Sequence, residues 1–221
     1  MSGLAQTSTS PIRVLIVDDH PVIRRGLREI LSEEEGLEVG GEGSTAAEAL
    51  QLVQGQHWDV VLLDITMPGR NGLEALRDIK AFRPELPVLM LSIHPEDQYA
   101  IRALKAGAAG YLTKESAPEE LVRAIRKVVR GGRYITASLA ERLAEEMGAP
   151  ADRSRLPHEL LSDREFQVLL ELVRGKSVTV IAHELSLSVK TVSTYRTRIL
   201  EKFGAHSTAE LVRYAVEHKL E

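Results

Sequence analysis

Asp59-Val60-Val61-Leu62-Leu63-Asp64-Ile65-Thr66-Met67-Pro68-Gly69 is the stretch whose reading decides the fold. Four apolar residues run into an aspartate, and a threonine, a proline and a glycine follow shortly. A continuous apolar run of this kind reads as a strand buried on both faces, as in a parallel sheet. Pro68-Gly69 and Asn71-Gly72 read as the loop that ends it. Asp64 therefore stands at the carboxyl edge of a central strand, where open α/β sheets hold their ligands. Taken alone such an aspartate can be only a turn residue. Other acidic residues, a hydroxyl and a lysine elsewhere in the chain shift that balance.

The flanking sequence repeats the pattern. Residues 1–11 are polar and read as a disordered tail. Ile12 to Val17 is an apolar strand that runs into Asp18-Asp19, and His20-Pro21 opens a helix with proline at its first position. Val22/Ile23, Gly26/Leu27 and Ile30/Leu31 form its expected buried stripe. Leu37 to Gly41 is a weaker strand, and Ala46 to Val53 a helix with Ala46, Ala49, Leu50 and Val53 on one face. Helix 72–82 follows the opening stretch. Pro87 to Leu91 is a strand that meets Ser92. Helix 97–105 closes at Gly107, and Ala109 to Leu112 is a short strand that meets Thr113-Lys114. A last helix starts at Pro118 and stops at Gly131-Gly132. Five strand–helix units in strict alternation imply a parallel sheet covered on both sides. Asp18-Asp19, Asp64, Ser92 and Lys114 each follow a strand, so all converge on one sheet edge.

Composition fits this reading. The chain has 221 residues, 43% hydrophobic and 27% charged, as in soluble globular proteins. No apolar run approaches the roughly 18 residues that a membrane span needs, and the N-terminus has no secretory h-region. The absence of cysteine excludes disulfides and thiolate chemistry, and a cytoplasmic location is expected. From Ala151 onward 11 Lys/Arg face 10 Asp/Glu, whereas the rest carries 17 against 22. An acidic first part and a nearly neutral second part fit two domains with different partners.

Carboxylates gathered on one edge repel each other, and such a cluster is kept mostly to hold a cation. With oxygen donors and no histidine or cysteine in the pattern, Mg2+ fits best. Mg2+, a lysine and a serine hydroxyl suit the three oxygens of a phosphoryl group. Asp64 is then the candidate nucleophile, giving an acyl phosphate.

With Asp18-Asp19, Asp64, Ser92 and Lys114 in that order, residues 12–131 resemble the receiver domain of two-component response regulators. The resemblance implies a flavodoxin-like, doubly wound sheet of five parallel strands. It also implies that Asp64 accepts phosphate from a sensor histidine kinase. Asp18, Asp19, Asp64 and the backbone carbonyl of Thr66 would hold Mg2+. Ser92 would bond the phosphoryl group, Tyr111 would rotate inward behind it, and Lys114 would pair with it. By periodicity alone Tyr111 is an edge aromatic. Ile93 and Glu115 depart from the family pattern, which more often has a small residue and a proline there. Thr66 and His94 flank the site, His20 reads as a helix cap rather than a ligand, and Trp58 as packing.

Beyond the sheet, residues 132–160 read as a linker with a short helix at 137–147, and 161–221 as a small all-α domain of four helices. Ser162-x-x-Glu165 and Ser207-x-x-Glu210 are capping boxes, with Leu161 and Phe166 suited to a hydrophobic staple. A short helix from Val178 to Leu185, the turn Ser186-Leu187-Ser188 and a longer helix from Val189 to Phe203 have the layout of a helix-turn-helix. Val192, Ile199 and Phe203 share one face of the second helix. Lys190, Arg196, Arg198 and Lys202 outweigh Glu201, and Ser193, Thr194 and Thr197 lie among them. Small hydroxyls beside cations suit a DNA groove, the hydroxyls toward base edges and the cations toward phosphates. An ordinary amphipathic helix with a solvated basic face would carry the same charges.

Leu161-Ser162-Asp163-Arg164-Glu165, Gly175-Lys176-Ser177, Ile181-Ala182, Leu185 to Ser193 and Glu201-Lys202-Phe203-Gly204 resemble the LuxR-type DNA-binding domain. Val178 and Tyr195 depart from it, where asparagine and histidine are frequent. A receiver followed by this domain is similar to the NarL/FixJ class. The resemblance implies a phosphorylation-switched transcription regulator, not an enzyme, that binds double-stranded promoter DNA as a homodimer and is placed to touch RNA polymerase. The alternative is a receiver-bearing adaptor that acts by protein contact without reading DNA. A haloacid-dehalogenase-like phosphatase would need a second aspartate where Thr66 stands. A quorum-type sensor would need an apolar ligand pocket, and the first half is poor in aromatics.

Overall fold

The computed structural model describes residues 10–93, 96–148, 156–218 and 220. Five parallel strands, β1 (Ile12–Val17), β2 (Leu37–Gly43), β3 (Val60–Asp64), β4 (Val88–Ser92) and β5 (Gly110–Thr113), lie in the order β2-β1-β3-β4-β5. Helices α1 (Pro21–Ser32), α2 (Ala46–Gly55), α3 (Gly72–Phe82), α4 (Glu96–Lys105) and α5 (Pro118–Val129) connect or follow them. The strand order reverses between β1 and β3, so Asp18 and Asp64 flank the switch point.

Alternation along the strands makes two apolar layers. Val14, Ile16, Val60, Leu62, Leu89, Leu91 and Leu112 pack with Leu31 of α1 and the apolar stripe of α5. Leu15, Val17, Val61, Leu63, Val88 and Met90 face α2, α3 and α4. All of β3 is buried. At roughly 1.5–3 kcal/mol for each large apolar side chain, this strand anchors the sheet and so the position of Asp64.

Several boundaries differ from expectation by a residue or two, because side-chain pattern does not register backbone pairing at strand ends. Strand β2 continues to Gly43 because the register shifts by one residue after Val14, and Gly41–Gly43 pair with Leu15–Val17. Val22, expected in the buried stripe of α1, is 70% exposed, and only Leu31 of that helix is buried. Leu50 of α2 is half-buried, and Leu52 packs against the core beside Val53. Trp58 is packing as expected: its Nε1 donates to the Leu52 carbonyl at 2.9 Å.

The loop after Asp64 is held tightly. Gly72 N donates to the Ile65 carbonyl at 2.9 Å, and Asn71 and Glu74 close a capping box on α3. A Cβ on Gly72 would collide with the Asp64 carbonyl and lie 2.9 Å from Ile65 Cα.

Helix α6 (Ala137–Gly148) follows the sheet. A single 3-10 turn, Pro157–Leu160, stands in the stretch expected to be plain linker. Four more helices follow among the described residues: α7 (Asp163–Val173), α8 (Val178–Glu184), α9 (Val189–Phe203) and α10 (Thr208–Glu217). Each opens on a serine, Ser162, Ser177, Ser188 or Ser207, whose hydroxyl accepts from the backbone N–H three residues on. Such a cap contributes about 1 kcal/mol. The box at Ser162 is complete. At Ser207 the Glu210 carboxylate takes the Ser207 hydroxyl and the His206 N–H instead of the Ser207 N–H. Ser186, in the turn between α8 and α9, has φ +52°, and Gly204 ends α9 in the left-handed region. Leu211 and Ala215 of α10 are buried, while Val216 is 51% exposed.

Gly72→Ala is expected to destabilise the protein by about 2–3 kcal/mol, because the backbone of the loop after β3 must move to admit a methyl group. Urea denaturation measures it, and a loss below about 0.5 kcal/mol would show that the loop yields freely.

Candidate functional site

The loops after β1, β3 and β5 bring Asp18, Asp19, Asp64 and Lys114 together. Ligand atoms of Asp18, Asp19, His20 and Asp64 all lie within 4.8 Å of one another. Lys114 Nζ is 2.7 Å from Asp18 Oδ2 and 2.9 Å from Asp64 Oδ2. Asp18 and Asp64 are buried, and Asp19 is partly open to solvent. Burial pushes the Asp64 carboxyl up to about 7; Lys114 pulls it down and the neighbouring Asp18 raises it again. Burial draws Lys114 down, but Asp64 and Asp18 outweigh it and hold the ammonium above its ordinary value.

This donor set fits a hard divalent cation. The buried Oδ2 atoms of Asp18 and Asp64 make no hydrogen bond beyond their ion pairs with Lys114, and Asp19 Oδ1 likewise makes none beyond its contact with the His20 ring. Carboxylate oxygens left in this condition are what Mg2+ takes. His20 departs from expectation. It occupies the N-cap position of α1, but its side chain makes no cap bond. Its Nδ1 instead lies 2.8 Å from Asp19 Oδ1 and 3.2 Å from Asp18 Oδ1. The sequence signal for this contact is the position of His20 directly after Asp18-Asp19. Thr66 N donates to Asp64 Oδ1 at 3.2 Å, so its backbone runs beside the carboxylate.

Ser92 ends β4 fully buried, and its carbonyl accepts from Lys114 N at 2.7 Å, which ties β4 to the lysine. Tyr111 lies on the edge strand β5, as periodicity suggests, yet it is 1% exposed, in the same core as Tyr99 and Phe166. Helix α4 packs on β5 and covers that side of it. Ile93 is 66% exposed beside the site. The Lys114–Glu115 bond is trans, as are all peptide bonds among the described residues. His94 lies outside them.

The second candidate surface is α9. Lys190, Ser193, Thr194, Thr197 and Arg198 are exposed on one side, with Val192 and Ile199 buried on the other. The hydroxyls of Thr194 and Thr197 donate to the carbonyls of Lys190 and Ser193 four residues back, leaving their oxygens open as acceptors. Arg196 and Lys202, also expected on this surface, are partnered within the fold. Arg196 Nε donates to Thr208 Oγ1 at 3.1 Å. Lys202 Nζ pairs with Glu165 Oε2 at 2.6 Å and donates to the Leu160 carbonyl at 3.2 Å. Helical spacing put both near the basic face, but neighbouring helices draw them aside.

Two family models match. Residues 14–126 match the response regulator receiver domain, and residues 159–215 match the bacterial regulatory proteins of the luxR family. Response regulator UvrY of Escherichia coli K12 is 41% identical over 209 residues, 95% of each chain. Response regulator GacA of Pseudomonas aeruginosa is 42% identical over 207 residues, 94% of this chain and 96% of the relative. Among solved structures, RcsB of Salmonella typhimurium aligns with TM-score 0.66 and 25% identity, over 95% of this chain and 99% of its own. RcsB of Salmonella enterica bound to promoter rprA, with the phosphomimetic BeF3−, aligns with TM-score 0.61 and 25% identity, over 93% and 98%.

A parallel sheet with an acidic carboxyl edge, joined to a helix-turn-helix, defines a class: a receiver coupled to a DNA-binding unit. The chain belongs to the two-component response regulators with a LuxR-type DNA-binding domain, the NarL/FixJ class. It is a DNA-binding transcription regulator and not an enzyme, which removes the ground for the adaptor alternative. Among the described residues no helix is long and apolar enough to cross a membrane.

Burial raises the Glu165 carboxyl, but hydrogen bonds from Lys202 and Ser162 outweigh it and hold it below its ordinary value. Its stabilising effect is therefore present above the unfolded carboxylate value, about 4.3, and lost as pH falls through the lower folded value. Glu165→Gln is expected to cost about 1 kcal/mol at pH 7, a difference from wild type that shrinks steadily below about pH 4. Urea denaturation across pH 3–7 checks this, and a pH-independent difference would show that the ionised carboxyl is not what matters.

Proposed function

We propose that Asp64 is the phosphoacceptor of this regulator and that Asp18, Asp19, Asp64 and the Thr66 carbonyl hold Mg2+. The observation that carries this is the convergence of three carboxylates and Lys114 on the β1/β3 edge. An Asp64 carboxylate oxygen attacks the phosphorus of a sensor kinase's phosphohistidine. The new O–P bond forms as the N–P bond breaks, and its electron pair leaves with the imidazole nitrogen. Mg2+, when bound, supplies positive charge against the phosphoryl oxygens. Lys114 exchanges its carboxylate partners for a phosphoryl oxygen, and the Ser92 hydroxyl donates to another. Tyr111, buried behind Ser92, keeps that space apolar and registers the movement.

The receiver spans 12–131, the linker 132–160 and the DNA-binding unit 161–221, and the protein works in the cytoplasm. Helix α9 enters the major groove of promoter DNA with Lys190, Ser193, Thr194, Thr197 and Arg198. Phosphorylated protein pairs as a homodimer on two half-sites and is placed to contact RNA polymerase. RcsB, solved on promoter DNA with a phosphomimetic, supports the same coupling of inputs here.

Purified protein treated with a small acyl-phosphate donor and Mg2+ is expected to gain one acid-labile phosphate by mass spectrometry and to bind genomic promoter fragments more tightly. Asp64→Asn should lose both responses. Donor-enhanced binding that persists in Asp64→Asn would remove Asp64 from the switch.

Lys190→Ala and Arg198→Ala are each expected to reduce the slope of log affinity against log salt by about 1. Arg196→Ala and Lys202→Ala should leave that slope in place and lower the melting temperature instead. Fluorescence anisotropy over a salt series separates the pairs, and a lost slope in Lys202→Ala would show that its pairing with Glu165 opens on DNA.

A further inference from the structure

Helix α7 is covered all round. Arg164, Gln167 and Glu171, at helical spacing, are buried like Val168 and Leu169. The apolar side builds the core of the helical unit, and the other side lies on α3 and α4 of the receiver. Arg102 of α4 stands at the centre of that contact. Its Nη1 donates to the Leu161 carbonyl at 2.9 Å, and its Nη2 to the His158 carbonyl. Its guanidinium carbon sits 4.1 Å from the centroid of the Phe166 ring. Nη1 lies 3.5 Å from Asp163 Oδ1, and Arg77 of α3 pairs with the other oxygen of the same carboxylate. Tyr99, one turn earlier on α4, meets Phe166 edge-on with centroids 5.4 Å apart. A planar guanidinium reaches two carbonyls, a carboxylate and a ring face at once, which a lysine ammonium cannot do.

Two further facts define what this contact does. Arg164 Nη1 donates to Gln167 Oε1 at 2.5 Å, and Glu171 pairs with Arg174 and Lys176, so the polar side of α7 finds these partners within the helical unit itself. The interface with the receiver is therefore crossed by the contacts of Arg102, Arg77 and Tyr99. The DNA-facing side of α9 is not in it: Lys190, Ser193, Thr194, Thr197 and Arg198 remain exposed in the closed arrangement.

We propose that Arg102 is a latch that docks α7 on α4 of its own receiver while leaving α9 open, so that closure governs how two helical units are placed and not whether one can touch DNA. The latch sits on the helix that follows Ser92, so a movement of β4 reaches it through one connection. The second half rests on α9 as the DNA-facing helix; the first half does not, so the two can fail separately.

The test uses the full chain as wild type, Arg102→Ala, Arg102→Lys and Asp163→Asn. Hydrogen exchange of α7 and α4 reports the latch, and circular dichroism reports the fold. Anisotropy with a fluorescein-labelled duplex of about 12 base pairs, one helical turn and too short for two units, reports single-unit contact. Expected are α7 amides exchanging about tenfold faster in Arg102→Ala and Arg102→Lys, and faster in Asp163→Asn, with helicity kept. Affinity for the short duplex should stay within about twofold of wild type, a difference of about 0.4 kcal/mol. Should Arg102→Ala fail to fold, Arg102→Lys and Asp163→Asn decide. Unchanged α7 exchange in both conservative variants would overturn the latch. Short-duplex binding that tightens about tenfold on opening would overturn the free reading face.

Discussion

Two buried carboxylates share one ammonium at the edge of the sheet, and much of the molecule is arranged around keeping them there. Like charges about 4 Å apart repel by roughly 1 kcal/mol in water and about 4 kcal/mol at an effective dielectric near 20. Lys114 answers that repulsion with contacts of 2.7 and 2.9 Å to Asp18 and Asp64. The answer is incomplete, since Asp64 is still pushed up to about 7 by burial despite the lysine. A site in this condition has a ready use for one more cation, and each charge change at Asp64 alters the partners of Lys114. The apolar strands on either side, the closed loop at Gly72 and the Asn71 cap hold the carboxylates at this distance.

From that edge the structure offers a short physical route to the DNA-binding unit. The Ser92 carbonyl holds Lys114 N, α4 follows β4, and Arg102 of α4 grips the 3-10 turn and the start of α7. Lys202 at the end of α9 grips the same turn and Glu165, and His158 bonds the Tyr214 hydroxyl of α10 at 2.8 Å. The 3-10 turn thus joins the receiver, the second helix of the helix-turn-helix and the last helix. Charged and polar groups ring this junction, and between them Tyr99 and Phe166 join the apolar layer of the receiver to the core of the helical unit.

The acidic site was legible residue by residue. Asp18, Asp19, Asp64, Ser92 and Lys114 each stand at or just past the end of an apolar strand, and parallel strands send their carboxyl ends to one side. Less legible was whatever depends on which neighbour covers a surface. Val22 fits the apolar stripe of α1 but is exposed, because among the described residues none covers it. Tyr111 stands on the edge strand, as its pattern suggests, yet is buried, because α4 packs over that strand. Arg196 and Lys202 carry the right charge at nearly the right spacing, yet Thr208 and Glu165 draw them away. His20 stands at the N-cap of α1, but its ring turns to the carboxylates.

Strand and helix identity, their alternation, the sheet edge that gathers the aspartates, the serine caps and the helix-turn-helix were determined by the sequence itself. They rest on interactions between residues close along the chain: hydrophobic period, capping chemistry and turn residues. The tertiary structure alone decided that Lys114 bridges Asp18 and Asp64, that Arg102 reaches His158 and Leu161, and that α7 buries a polar side. Those contacts join residues dozens of positions apart. Their partners are chosen by how packed elements meet, and no local pattern records that choice.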